Sequence, residues 1–337
     1  MYVVDPVDEK VVEMQAGGLS AAELMRFLDE GERVVRRPSA GAADLALQHG
    51  IELLDHNRAA DAAAEFRKAL EAGGAAWTER ARTLDLLTTT LESAGDARVC
   101  ADHAMALAPK LARDRWFVDI MLTGLRCASH GGAEAWAVTA RGQLEPLARA
   151  AMSAPAATRD DRFQLYEALI QSADLRSREA GAQLAARWLA EIEAVAPRND
   201  DERTALDVAR VRAVTRLETP ARALPALAAS ERAMPDNYTA SARLASMDLA
   251  AHRFDEAIAA TRRGLARSPG AMGRAGLLLT QARSLLAKGD VEGARPILAE
   301  ALEAARAIQH QQSRDAYVAA IQRVLDGAAP PKKKIGG

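Results

Sequence analysis

The sequence predicts a mostly α-helical chain, an array of stacked antiparallel helix pairs preceded by a short β-hairpin and one helix. Apolar residues make up 49% of the 337 but aromatics only 4%, so the core is built from Ala, Leu and Val. Ala is the strongest intrinsic helix former, with Leu, Arg and Glu close behind, and such a mixture favours close helix pairs over a large globular core. Prolines punctuate the helical patterning, in "MALAPK" at Pro109, "EAVAPR" at Pro197, "RAMPDN" at Pro235 and "ARSPGA" at Pro269. The step from Pro235 to Pro269 is 34 residues and that from Pro197 to Pro235 is 38. The opening "MYVVDPVDEKVVEMQAGGLSAAELMRFLDEG" departs from this patterning and carries two β-branched runs around a turn.

In that opening, Tyr2, Val3 and Val4 favour a strand, "DPVDEK" supplies turn chemistry, and Val11, Val12 and Met14 resume a strand. Ser20 and Glu23 have the spacing of a capping box, and Leu19 and Leu24 are placed to staple the helix entry. Leu24, Phe27 and Leu28 share one helix face, and Gly31 is placed to end the helix. This order of strand, turn, strand, Gly-Gly and helix over residues 1–36 resembles the C-terminal part of a thioredoxin-like domain. The resemblance implies that the family's Cys-x-x-Cys and cis-proline precede Met1, so no redox residue falls on this sequence. A two-stranded hairpin is marginal in water. The expectation is therefore a fragment whose front half lies upstream, or a decayed fusion to the helical array.

Residues 40–326 form the array. "ADLALQHGIELLDHNRAADAAAEFRKALEAGG" places Gly50, Leu53, Ala62, Phe66 and Ala69 at helix-crossing positions. "NYTASARLASMDLAAHRFDEAIAATRRGLARSP" does so with Leu244, Phe254, Ala257 and Pro269, and a third stretch with Ala294, Leu298 and Ala301 after Gly289-Asp290. Leu84, Ala97, Ala104 and Pro109 mark another unit. Helix, short turn, helix at a period of 34 with a closing proline resembles the tetratricopeptide repeat (TPR). Two short helices cannot bury an apolar face alone, so stacking neighbours builds the core and small residues let backbones approach. The family's tryptophan and tyrosine are missing from the first helices, which implies a degenerate TPR-like α-solenoid of roughly six helix pairs. Residues 112–180 fit the period poorly, with "DRWFVDIMLTGLRCASHGGAEAWAVTARGQLEPL" reading as two longer helices around a Gly-Gly break. Residues 327–337, "GAAPPKKKIGG", cannot build a core and are expected to be a disordered tail.

Composition and spacing exclude most chemistry. The net charge is −2, so no nucleic-acid footprint is expected. No 18-residue apolar run and no secretory signal are present, which reads as a cytoplasmic chain without a membrane span. The six histidines, His49, His56, His103, His130, His252 and His310, have no metal-ligand spacing. No Gly-rich phosphate loop or Gly-x-Ser-x-Gly elbow occurs. Acids in "TRDDRF" and "RNDDER" sit at helix starts, where they cap amides. Trp77, Trp116, Trp136 and Trp188 fill helix gaps, with one of them free to line a groove. Cys100 and Cys127 read as buried helix thiols, a disulfide between them being an alternative that spacing alone does not decide. Catalytic, metal and cofactor residues are none.

The remaining surface is a groove lined by the first helix of each pair. Projection of the repeat places Arg82, Arg212, Arg216 and Arg283 on it, a basic stripe suited to an acidic segment or a carboxylate terminus. The Lys/Asn carboxylate-clamp pattern of chaperone-binding TPR domains is absent. The sequence thus predicts a non-enzymatic scaffold for a protein or peptide partner. The alternative is a truncated thioredoxin-like thiol-disulfide protein whose Cys-x-x-Cys half lies upstream of Met1.

Overall fold

The structure is a computed structural model and describes residues 2–7, 11–14, 21–36, 41–111 and 115–328. Residues Met1–Leu184 and Ala185–Gly337 form two compact units. The first begins with β1 (Tyr2–Val4) and β2 (Val11–Met14). Helices α1 (Ala21–Arg36), α2 (Ala42–Asp55), α3 (Ala59–Gly73) and α4 (Arg80–Ser93) follow. After them come α5 (Ala97–Leu107), α6 (Arg115–His130), α7 (Ala135–Met152) and α8 (Arg159–Asp174). Helix α9 (Arg178–Glu193) spans the boundary. The second unit holds α10 (Asp200–Arg216), α11 (Leu224–Ala233), α12 (Tyr238–Ala250), α13 (Phe254–Ala266), α14 (Ala271–Ala287), α15 (Val291–Arg306) and α16 (Gln311–Ala328). The predicted class is present: helices packed in adjacent antiparallel pairs behind a β-hairpin and one helix. Among the described residues the pairs are α2–α3, α4–α5 and α6–α7 in the first unit and α10–α11, α12–α13 and α14–α15 in the second.

The turns inside α2–α3, α4–α5, α12–α13 and α14–α15 share one backbone hydrogen bond. The amide of Arg58 donates to the Leu53 carbonyl, Asp96 to Leu91, Arg253 to Asp248 and Asp290 to Leu285, at 2.8–3.0 Å. Each is the six-residue bond of a Schellman motif, which needs a left-handed residue just after the helix. Gly95 (φ 81°) and Gly289 (φ 85°) take that conformation freely, and Asn57 (φ 57°) and His252 (φ 59°) occupy the equivalent place. The chain therefore reverses at once, and the second helix lies along the first. Side chains close the starts of α8, α10, α12 and α15. Thr158 and Asp161 form a reciprocal capping box on α8, and Asn199 Oδ1 accepts from the Glu202 amide on α10. The acids of "TRDDRF" and "RNDDER" thus lie at helix starts, with Asp161 in the cap and Asp200 and Asp201 in the first turn of α10.

Helix crossings carry the small residues. Gly50 of α2 is buried against Phe66 of α3, where a Cβ would run into the ring. Ala62 and Ala69 on α3, Ala257 on α13 and Ala294 and Ala301 on α15 have no solvent exposure. In the second unit, Leu278, Leu298, Ala305, Ile308 and Ile321 join α14, α15 and α16 in one core. Burying such side chains supplies on the order of 1.5–3 kcal/mol for each Leu or Ile, which no single pair achieves alone.

Three features differ from the sequence expectation. Helix α1 runs through Gly31 to Arg36 rather than ending there. Gly31 is buried, and a Cβ on it would meet Val3 Cγ1 at 2.7 Å, so the glycine makes room for β1. The hairpin itself pairs Tyr2 with Met14 and Val3 with Glu13, with an irregularity between Val3 and Val4. Strand β2 packs on α2 as well as on α1, so the hairpin is seated on the first helix pair. Cys100 on α5 and Cys127 on α6 are not free thiols. They form a disulfide, with Cα atoms 6.1 Å apart and both residues wholly buried. The crossing of α5 and α6 creates the proximity: Gly124 lies against Ala104, and a Cβ there would overlap the Ala104 Cβ. Closing that loop is worth about 3–4 kcal/mol in the chain-entropy account. The Ser20–Glu23 capping box and Leu19 lie outside the described residues and side chains, as do tail residues 329–337.

Gly124→Ala therefore forces α5 and α6 apart at their disulfide-linked crossing. Urea unfolding should show a loss of about 1–3 kcal/mol, the usual cost of overpacking. An unchanged midpoint would show that this crossing has slack.

Candidate functional site

Helix α4, "RARTLDLLTTTLES", has two faces. Leu84, Leu87 and Leu91 are buried in the helix layer. Arg82, Asp85, Leu86, Thr89, Thr90 and Ser93 follow the i, i+3, i+4, i+7 spacing of a second stripe and line a cavity of about 290 Å³. Leu54 at the end of α2, Asn57 and Ala59 at the following turn, and Trp116 of α6 complete the lining. The cavity thus opens on the side of the first helices of the first unit's pairs, α2, α4 and α6.

Charge around it is mostly spent within the chain. Arg82 is 12% exposed and lies 3.4 Å from Glu79. Arg115 sits 3.3 Å from Asp119 and stacks over the Trp116 ring at 5.3 Å. Arg126 of α6 grips Glu92 of α4 with two bonds of 2.9 and 2.6 Å, which locks the two helices on either side of the cavity. Two buried charged-group atoms in the lining make no hydrogen bond, Arg82 Nη2 and Asp85 Oδ1. Asp85 keeps partial exposure, but its Oδ1 is sealed from solvent. Burial, reinforced by the Asp119 carboxylate and opposed by Arg115, Arg82 and Arg126, pushes its carboxyl up to about 8. Thr90, 1% exposed, also carries a buried hydroxyl without a partner, whereas Thr88 donates to the Leu84 carbonyl at 2.7 Å.

The second unit has its own hollow of about 480 Å³, lined by Leu224, Leu244, Asp248, Arg253, Glu256 and Arg263 among others. Its charges are paired: Arg253 lies 3.4 Å from Asp248, and Arg263 holds Glu231 through bonds of 3.0 and 2.8 Å. On α10, Asp207 is 2.7 Å from Arg210, and burial raises the Asp207 carboxyl despite neighbouring arginines.

The sequence-predicted arginines fall in both units. Arg82 lines the first cavity. Arg212, exposed, and Arg216, half-buried, lie one turn apart on α10, and Arg283 is exposed on α14. Of the tryptophans, Trp116 lines the cavity. Trp77 packs on Gly73 and donates to Asp44 at 2.9 Å, Trp136 packs on Gly131, and Trp188 is buried. Sequence reasoning missed Asp85. The available signal was an acid set inside the apolar run "TLDLL", in mid-helix where no amide needs a cap. Among the described residues, no cluster of three His, Cys, Asp or Glu side chains could hold a metal ion.

No family model and no curated protein matches the chain. Among solved structures it is similar to a tetratricopeptide repeat protein from Parabacteroides merdae, at a TM-score of 0.50 and 11% identity over 83% of this chain and 99% of that one. The fold is TPR-like. Two further structures overlap less well. They are MamA of AMB-1 (24% identity, 58% of this chain and 97% of that one, TM-score 0.33) and the TPR2AB domain of yeast Sti1 in complex with pHSP90 (13%, 83% and 98%, 0.31). The TPR-like likeness gives no support to a thioredoxin-like fragment in residues 1–36.

The Asp85 carboxyl ties stability to pH. Its ordinary value is 3.8 and its folded value about 8, so the neutral form is favoured by the fold. The stability it contributes is complete below pH 3.8 and is lost as pH rises through 8. Asp85→Asn should match wild type in acid and exceed it by on the order of 2 kcal/mol in urea unfolding at alkaline pH. Parallel pH curves for the two proteins would contradict the burial of this carboxyl.

Proposed function

We propose that the chain is a non-enzymatic scaffold that holds a protein or peptide partner on the surface formed by the first helices of its pairs. The observation that carries this reading is the cavity between α2, α4 and α6, with an apolar floor, one aromatic ring and a few convergent polar groups, the usual make-up of a recognition site. The TPR-like fold supports it, because stacked helix pairs expose an extended binding surface. Arg82 in the first unit and Arg212, Arg216 and Arg283 in the second are the proposed charged contacts, each on the first-helix face of its own unit. The thioredoxin-like alternative gains nothing: the chain's two cysteines are joined to each other in the interior.

No helix among the described residues is long and apolar enough to cross a membrane. The sequence pointed to the cytoplasm, but the Cys100–Cys127 bond favours an oxidising compartment, because cytosolic thiols are kept reduced. We place the working protein there.

Partner capture on the immobilised chain tests the reading. A specific protein should be retained, and charge reversal at Arg212 and Arg216 should weaken its capture about tenfold or more, as truncation of central interface charges does. Unchanged capture by the reversed variant would remove the arginine surface from the account, and absence of any retained protein would remove the scaffold.

A further inference from the structure

The bond between Cys100 and Cys127 lies where no thiol can reach it. Neither residue has any solvent exposure. The neighbouring turns are set as deeply: Ala101 and Ala104 on α5, and Ile120, Met121, Leu125 and Ala128 on α6, have none either. Gly124, one turn before Cys127, touches Ala104, one turn after Cys100, with no room for a Cβ between them. Helix α6 packs against α4, α5, α7 and α8, and Arg126, beside Cys127, is tied to Glu92 of α4 by two bonds. Thiol–disulfide exchange is the attack of a thiolate on a sulfur, so its rate follows access to that sulfur. In the folded chain both directions are shut. A reductant's thiolate has no path to the bond, and an oxidant would have no path to the two thiols if they were free. Sliding of one helix does not expose the pair, because α6 must leave four neighbours together. The opening that exposes the sulfurs is unfolding of the crossing itself.

We propose that the Cys100–Cys127 bond is made while the chain folds, by thiol–disulfide exchange with a disulfide-bearing oxidant, and that the finished fold then keeps it out of reach of thiols. In the first step the thiolate of one cysteine attacks a sulfur of the oxidant's disulfide. A mixed disulfide forms, and one oxidant thiolate leaves. In the second step the other cysteine's thiolate attacks the chain's own sulfur in that mixed disulfide. The Cys100–Cys127 bond forms, and the second oxidant thiolate leaves. Two electrons pass from the chain to the oxidant, and the two thiol protons pass through solvent to the released thiolates. It is folding, rather than later service, that needs the oxidant. The state of the bond in the folded protein records the conditions under which the crossing of α5 and α6 closed, and a later change of conditions leaves it as it was.

The full chain is tested in both directions, with thiols trapped by alkylation after an acid quench and counted by mass spectrometry. The oxidised chain is held in excess dithiothreitol across a series of urea concentrations. Reduction without urea should be at least about a hundredfold slower than above the unfolding midpoint, and the rate should climb with urea in step with unfolding. In the other direction, the chain is refolded in dithiothreitol, freed of it and given oxidised glutathione. Both thiols should persist, whereas oxidised glutathione present during refolding should yield the bond. Reduction of the native chain as fast as in urea overturns the proposal. So does a rate indifferent to urea below the midpoint, because a local fluctuation would then reach the bond. Prompt oxidation of the refolded, reduced chain overturns it as well. Circular dichroism checks that the reduced chain has refolded, and if it has not, the reduction series alone decides.

Discussion

How closely two consecutive helices can approach sets everything else in this molecule. An Ala- and Leu-built pair buries little surface per residue, so it holds together only when backbones come near and neighbouring pairs cover the remaining face. The chain meets that demand with Gly50 under Phe66, Gly124 against Ala104, and unexposed alanines at 62, 257 and 294. The same approach makes the rest possible. It brings Cys100 within bonding reach of Cys127. It also sets α4 and α6 at the distance where Arg126 can grip Glu92 with two bonds and leave a hollow beside Trp116.

Much of the fold was legible because its causes are local. A Schellman turn needs a left-handed residue, so Gly95 and Gly289 announce the reversal within each pair, and the spacing of alanines along Ala62, Phe66 and Ala69 reveals which face is buried. Gly31 misled for a physical reason. A glycine ends a helix when the backbone must turn left-handed, but it also serves where a neighbour needs the space of its missing Cβ. At Gly31 the neighbour is Val3, distant in sequence, and nothing local marks it. The disulfide was hidden in the same way. It depends on the crossing of α5 with α6, and the spacing of two cysteines carries no trace of that contact.

The site was less legible than the fold. Arg82 could be projected onto the surface of the first helices from the repeat alone, and it lines the cavity. Its charge is partly committed to Glu79, one turn back, a pairing that a count of arginines overlooks. Asp85 carries the opposite lesson. A solitary acid in an apolar run looks like a solvated position by composition, yet its environment depends on Asp119 and Arg115 from another helix, whose place is set only by packing. Residues that bear structure are visible through period and propensity, whereas the lining of a cavity depends on which helices meet.

The disulfide, the stacked pairs and the hollow beside Trp116 all depend on helices that approach one another closely. The account stands or falls on the close crossings. The most direct measurement is equilibrium unfolding of Ala294→Leu with hydrogen exchange read in parallel, since Ala294 lies unexposed where α15 meets the core of α14 and α16. If close approach is the governing constraint, the larger side chain lowers stability by about 1–3 kcal/mol and speeds amide exchange throughout α14 and α15. Wild-type stability with unaltered exchange in both helices would contradict it.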